Sequence, residues 1–397
     1  MTALLEGIRV LDFGRVIASA LCGTLLADMG AEVIKVERPG GEFDRNLGPL
    51  APDGSAITYS LFTPRNKKSI TLNTRHPRGI EILDQLVANS QILISGFTSK
   101  GNEMMGLNYA RLKQVNPSII QVAVSGYGQE GVYADRPAFD SIAQAESGAM
   151  SYTGFPGCPP TRSAVPYVDF STGIMGALGA VLALRHLDRT GSGQLVDVSL
   201  LSTAIFCVAG SGVMAEYNLN GQIREPIGNN SFYTYSDAFQ ARDGWVMINA
   251  IGDEIWQRLA KIVGRHEWLE DDRFKDDNSR YLNRHIIGPV VKDWVAQYNV
   301  SELIPLLEKN RVPCGRVNTA REVVNDPHVI EREMLVNVHY PGLGQVPLPG
   351  LPIKLSETPG KINTRAPELG QHNEEVYCSL LRYSREDLNS LRHEGVI

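Results

Sequence analysis

The first 125 residues alternate short apolar runs with amphipathic stretches, and this alternation restricts the fold more than any other feature of the chain. Residues 8–13 read as a strand, 18–29 carry helical apolar spacing, and 31–36 return as a strand that runs out into Glu37 and Arg38. Strands at 69–72, 91–95 and 119–125 follow. Between them lie a helix starting near Pro77, with Ile80, Leu83 and Val87 on one face, and a second helix at 109–115. Proline suits a first helical turn because its missing N–H would be unpaired there in any case. Strands separated by helices predict an α/β fold of right-handed β-α-β units around a parallel sheet. No G-x-G-x-x-G follows the first strand, only Gly14-Arg15-Val16-Ile17-Ala18, so nicotinamide-dependent chemistry loses its main support.

Residues 166–187, P-Y-V-D-F-S-T-G-I-M-G-A-L-G-A-V-L-A-L-R-H-L, hold a single carboxylate, Asp169, immediately before a helix apolar on nearly every face. Ser171 or Thr172 is expected to cap this helix, since a short hydroxyl satisfies first-turn N–H groups. Gly173, Gly176 and Gly179 recur every third residue and open the helix to close approach of another backbone. The helix N-terminus favours ionised Asp169, whereas desolvation by Val168 and Phe170 opposes it. The residue reads either as a helix cap or as a carboxylate nucleophile.

The 397 residues imply two to three domain-sized units. The uncharged run 198–215 reads as an internal helix, falling short of the roughly 20 apolar residues a bilayer span needs. Residues 233–241 and 245–250, joined at Asp243-Gly244, predict a β-hairpin. A helix bearing Ile255, Leu259, Ile262 and Val263, stopped by Gly264, follows, and helices at 286–297 and 301–309 complete a separate α+β domain at 225–325. The last 60 residues are punctuated by proline and glycine before a short helix near 374–381. Arg65, Lys67 and Lys68 form a basic cluster before a strand, which reads as a solvated face in preference to a phosphate contact. With 44 acidic against 38 basic residues, a net charge of −6 argues against nucleic acid as a partner. Five scattered cysteines without C-x-x-C spacing predict reduced thiols, no metal centre and a cytoplasmic location, and no secretory leader pattern opens the chain.

Several motifs in order carry a resemblance. They are G-I-R-V-L-D-F at 7–13, L-L-A-D-M-G-A-E-V-I-K-V-E at 25–37 and R-N-K-K-S-I-T-L-N at 65–73. S-G-Y-G at 125–128, R-P-A-F-D-S-I-A-Q-A at 136–145, the Asp169 segment and T-G-S-G-Q-L-V-D-V-S at 190–199 follow. Together they resemble the class III coenzyme A transferases of the CaiB/BaiF type, which include formyl-CoA and crotonobetainyl-CoA transferases and also α-methylacyl-CoA racemases. The resemblance implies a Rossmann-like large domain from residues 1–200 and 330–397, linker helices at 201–224 and the small domain inserted at 225–325. It also implies an interlocked dimer of two copies, or a mixed dimer.

The activity implied is transfer of CoA between an acyl-CoA donor such as succinyl-CoA and a small carboxylic acid. CoA and acyl-CoA serve as substrates, and no cofactor is held permanently. Asp169 aligns with the family nucleophile, which forms an anhydride and then an aspartyl-CoA thioester. Arg15, Val16, Ile17 and Ala18 match pantetheine and nucleotide contacts, Arg38 a phosphate-side arginine, and Leu72 and Phe97 apolar contacts near adenine. Tyr127 matches a tyrosine near the thioester. Gly96 and Met104 depart from the family's asparagine and arginine, and Lys100 is expected to supply the missing charge. Residues 228–231, G-N-N-S, stand where relatives have a glycine-rich loop, and read equally as a polar linker. Two other readings compete. A racemase needs a second acid–base group, which Phe139 in the R-P-A-F-D run does not provide. A non-catalytic subunit of a mixed dimer is the other.

Overall fold

The computed structural model describes residues 3–397. The chain divides into two compact units, one comprising the N-terminal part up to Ala149 with Arg162–Gly221 and Pro327–Ile397, the other Met150–Thr161 with Gln222–Asp326.

In the larger unit the chain runs through β1 (Arg9–Phe13), α1 (Ala18–Asp28), β2 (Glu32–Glu37), β3 (Lys67–Thr71), α2 (Pro77–Ala88) and β4 (Ile92–Ser95). It continues with α3 (Ser99–Met104), α4 (Tyr109–Val115), β5 (Ile120–Ser125) and α5 (Asp140–Glu146), and, after α6 (Ala149–Tyr152), whose residues past Ala149 belong to the smaller unit, with α7 (Tyr167–Thr190), β6 (Leu195–Ser199), α8 (Leu200–Gly210) and α9 (Val213–Asn220). The strands are parallel in the order β3-β2-β1-β4-β5-β6, with Leu11 of β1 opposite Ile34 of β2 and Leu93 of β4. The winding therefore reverses between β1 and β4. In sheets of this kind that reversal opens a crevice at the carboxyl ends of the two strands.

Both faces of the sheet are covered, as parallel pairing requires. Val10, Cys22, Leu26, Ile94, Val122, Val168, Ala180 and Ala183 form the layer under α1 and α7. Leu11, Ile34, Ile70, Leu83 and Leu86 form the other with α2. The C-terminal tail completes that second layer with Val376, Tyr377, Leu388, Leu391 and Ile397. The Tyr377 hydroxyl donates to the Thr71 carbonyl at 2.6 Å, pinning the tail to the end of β3. Beyond the expected short helix, seen at Glu375–Leu380, lies a helix at Arg385–His393, started by a Ser384/Asp387 capping box. Leu335–Tyr340 and Gly344–Pro349 pair as an antiparallel hairpin inside the region read only as punctuated loop.

Two other expectations change. Arg65 and Lys67 are buried, Lys67 as the first residue of β3 in the covered sheet and Arg65 two residues ahead of the strand, where its guanidinium meets Asp28 and the Pro349 carbonyl. Arg65 pairs with Asp28 at 2.7 Å and Lys67 with Asp12 at 2.6 Å, while Lys68 stays half-buried between Glu32 and Glu375. Residues 201–221, expected as linkers, pack within the larger unit through Thr203, Ala204, Val208 and Val213, and bend by 65° between α8 and α9.

The smaller unit contains the predicted hairpin, β7 (Tyr235–Gln240) antiparallel to β8 (Trp245–Ala250), and β9 (Cys314–Arg316) adds to β8. Its core centres on Trp256, stacked on Trp268 at 5.4 Å and tilted against Phe274.

Candidate active site

The site begins where β1 turns into α1. A Cβ at Gly14 would lie 2.6 Å from Asp12 Oδ1 and 2.7 Å from the Ala20 nitrogen, so no side chain fits there. The buried Asp12 carboxylate accepts from the Gly14 amide at 2.7 Å and pairs with Lys67 Nζ, which also donates to the Ala20 carbonyl at 2.7 Å. One buried pair thus ties β1, α1 and β3 together. Val16 adopts φ 57°, a strained backbone for a β-branched residue. Its amide donates to the buried Asp44 Oδ2 at 2.7 Å, which holds the turn in place. The Arg15 guanidinium pairs with Glu42 at 3.0 Å and lies 4.5 Å from the centre of the Phe97 ring.

Gly96 follows β4 at the same end of the sheet. A Cβ there would meet Ser19 Oγ at 2.4 Å and the Arg15 nitrogen at 3.2 Å. The glycine that departs from the family pattern is therefore required by the close approach of α1.

Asp169 comes from the third layer of the site, the first turn of α7. That helix starts at Tyr167, so Asp169 stands inside it and not ahead of it, and no side chain of its own caps it. Ser171 and Thr172 do not serve as caps; Thr172 Oγ1 is buried with no hydrogen-bond partner. The cap arrives from α5, where Asp140 Oδ2 accepts the amides of Val168 at 2.9 Å and Asp169 at 3.2 Å. Gly173 and Gly179 let α7 close onto its neighbours: Cβ atoms there would lie 2.7 Å from the Ala18 carbonyl oxygen and 2.5 Å from Val196 Cγ1.

Asp169 is 7% exposed. Burial, and after it the negative charge of Asp140, push its pKa up to about 7. The helix-end potential expected to keep it ionised is outweighed, because the amides that would have faced it are already bonded to Asp140.

A cleft of about 300 Å³ opens over this carboxyl at the ends of β1, β4 and β5. Arg15, Val16, Ala18, Gly96, Phe97, Ser125, Gly126, Phe139 and Asp169 line it. Arg38 and Leu72 line a narrow adjoining groove that shares Arg15 and Phe97 with the cleft. Ile17 is buried as the residue before α1 and lines neither. Lys100 is exposed on α3, its amide donating to Asp135 Oδ1 at 2.8 Å. Tyr127 lies outside the cleft, in a hollow with Asp197, Ser199 and Phe206, its ring edge-on to Tyr133 at 5.6 Å. The 228–231 loop is tied within the smaller unit: the Gly228 amide donates to the Gly154 carbonyl and Asn230 Nδ2 to Asp237.

The reading of the residues missed Asp140, Glu42, Asp44 and Tyr59. The Tyr59 phenol is held above its ordinary pKa by burial and by the charges of Asp169 and Asp44, which places it in the field of the site. Asp140 stands in the R-P-A-F-D run beside Phe139, but nothing in that run signals that it caps a helix some 28 residues further on. Chemically, the cleft offers one basic carboxylate in largely apolar surroundings, with Arg15 as the sole other ionisable group among the described lining residues. That suits covalent attack by a carboxylate and leaves no opposed pair of acid–base groups.

The profile described as CoA-transferase family III matches residues 5–373. The chain is 37% identical to succinyl-CoA–D-citramalate CoA-transferase of Chloroflexus aurantiacus, over 99% of this chain and 98% of that one. It is 36% identical to the beta subunit of succinyl-CoA–L-malate CoA-transferase of the same organism, over 100% and 98%. The crystal structure of a CaiB/BaiF family protein from Brucella suis superposes with a TM-score of 0.83 at 30% identity, covering 96% of this chain and 100% of that one.

Proposed function

The chain belongs to CoA-transferase family III and is a CoA transferase, and from that premise we propose that it moves CoA from succinyl-CoA to a small dicarboxylic or hydroxydicarboxylic acid through Asp169. The observation that carries the route is the buried Asp169 carboxyl, pushed up to about 7, at the mouth of the strand-end cleft. Relatives named for succinyl-CoA with D-citramalate and with L-malate support the donor and the class of acceptor.

In this route an oxygen of Asp169 attacks the thioester carbonyl, the C–S bond breaks and CoA leaves as thiolate. The thiolate attacks Asp169 Cγ, the anhydride C–O bond breaks, and the donor acid departs as carboxylate. The incoming acid then attacks the aspartyl thioester and the steps run in reverse. Splitting the transfer in this way avoids free acyl exchange in water. Arg15, Phe97, Arg38 and Leu72 form the run of groups proposed for the nucleotide end, the arginines supplying charge-assisted bonds to phosphate. Val16 and Ala18, which line the cleft beside Asp169, are proposed to lie along the pantetheine arm. Phe139, 57% exposed and lining the cleft, cannot exchange a proton, so a racemase reading finds no second base there.

A paired assembly is part of the proposal. Ile174, Leu178 and Leu182 on α7 and Phe206 on α8 are exposed apolar side chains that a second copy, or a related subunit, would cover. Unpaired thiols among the described residues accord with a reducing compartment such as the cytoplasm.

The test incubates the protein with succinyl-CoA and a panel of acids including D-citramalate, L-malate and glutarate, and measures new acyl-CoA by chromatography. Transfer to at least one dicarboxylate, with hydroxylamine converting Asp169 to its hydroxamate during turnover, is expected. Transfer without a label on residue 169, or a label on another carboxylate, would remove the Asp169 route.

A further inference from the structure

Helix α7 carries the proposed nucleophile in its first turn, yet its own sequence supplies no cap there: the residue before it is Pro166, without a side-chain acceptor. The unpaired first-turn amides are instead taken by Asp140, 29 positions upstream of Asp169. Asp140 is 6% exposed, and no ion pair to it forms among the described residues. Its charge is matched by hydrogen-bond donors: Oδ2 accepts from Val168 and Asp169, and Oδ1 from Gln144 Nε2. The buried Gln144 carbonyl oxygen in turn accepts the Ser163 amide at 2.9 Å. Two side chains of α5 thus hold the chain both before α7 and in its opening turn.

We infer that Asp140 is a positioning residue for transfer: by binding the first-turn amides of α7 it sets where the Asp169 carboxylate stands in the cleft and how basic that carboxylate is. The inference rests on Asp169 being the nucleophile. Geometry supplies the first half. A carboxylate on a turn whose amides are bonded to a buried anchor has little freedom, and covalent attack tolerates little misplacement of the reacting atom. The second half follows from charge. Two carboxylates in one poorly solvated site resist simultaneous ionisation, which raises the basicity of the one that can accept a proton.

That basicity has a use in the proposed chemistry. In the mixed anhydride, the thiolate can attack the acyl carbonyl and expel Asp169, or attack Asp169 Cγ and expel the substrate carboxylate. The less basic carboxylate is the better leaving group. A more basic Asp169 therefore biases the anhydride toward releasing the substrate acid and forming the aspartyl thioester. The other titratable or charged groups around Asp169 are Arg15 from the β1–α1 turn, Tyr59 from the 57–62 segment and Asp44 beside it. Of these four, Asp140 alone is bonded to the nucleophile's own turn.

The experiment compares wild type with Asp140→Asn, Asp140→Ala and Asp140→Glu. It measures kcat and the pH profile of kcat/KM with succinyl-CoA and an active acid, CoA affinity by calorimetry, melting temperature and hydroxamate yield on residue 169. Asp140→Asn removes the charge and keeps an acceptor for the amides, so the acid limb should move down by about 0.5–1 pH unit. Asp140→Ala should lower kcat about 100-fold while CoA affinity stays within about twofold, and Asp140→Glu should recover part of that loss. A lower melting temperature with the acid limb and kcat unmoved would mean that Asp140 is only structural and would overturn the inference. If Asp140→Asn fails to fold, the acid limb of Asp140→Ala, which also lacks the charge, is read in its place, and an unmoved limb there overturns it equally. A wild type that yields no hydroxamate on residue 169 removes the nucleophile reading itself. A wild type labelled there, with Asp140→Asn indistinguishable from it, removes this inference alone.

Discussion

Asp169 shows how one residue sets a conflict between stability and chemistry. Its carboxyl is raised from 3.8 to about 7 in the folded chain, so the native state holds a proton there that the unfolded state has lost over the window between those values. The usual pattern for a carboxylate is therefore inverted: this group lowers stability as pH rises through that window, and the loss is complete above about 7. Activity should run the other way, since the ionised form attacks, with an acid limb near 7 in the kcat/KM profile, which reports the ligand-free protein. Asp169→Asn removes the buried charge. It should abolish transfer, leave CoA binding in place, and stabilise the ligand-free protein by about 1–3 kcal/mol at pH 8. Paired urea melts at pH 5 and pH 8 check this, because the gain should be clearly smaller at pH 5, where only the lower part of the window has been crossed. A variant less stable than wild type at pH 8 would show that the charge is better compensated than its surroundings indicate.

Among the elements, α1 and α7 do most to place the site, and their contact depends on glycine. At Gly173 a Cβ would lie 2.7 Å from the Ala18 carbonyl oxygen and 3.0 Å from Leu21 Cβ. Backbone cannot rotate away as a side chain can, so Gly173→Ala should destabilise by about 1–3 kcal/mol despite alanine's better helix propensity. Because α1 follows directly on the Arg15–Val16 turn, kcat should fall with stability; a stable and fully active alanine variant, by denaturant titration and assay, would contradict this packing account. The elements were mostly visible in the residues, down to residues 109–115, which form a helix with the expected bounds. The start of α7 was not, because its cap lies on another helix and local pattern reading sees only near neighbours. The fate of Arg65 and Lys67 was hidden for the same reason: their partners, Asp28 and Asp12, are tens of residues away.

At the level of the whole molecule, the exposed apolar side chains of α7 and α8 call for a partner surface. Sedimentation of the purified chain should give a dimer that persists at nanomolar concentration, and a monomer–dimer equilibrium with ready exchange would speak against interlocked subunits. The alternation of apolar strands and amphipathic helices was sufficient for a parallel α/β sheet, since periodicity is a local property and burial on both faces follows from it. The ordered motifs were sufficient for the family and for Asp169 as the residue to watch. The strand order β3-β2-β1-β4-β5-β6, and with it the crevice between β1 and β4, was decided by tertiary structure. So were the capture of the C-terminal tail in the second core layer, the exclusion of Tyr127 from the Asp169 cleft and the bond from Asp140 to α7. Each depends on which distant segments meet when the sheet closes, and the free energy of those meetings comes from burial and pairing across the fold, which no local run of residues contains.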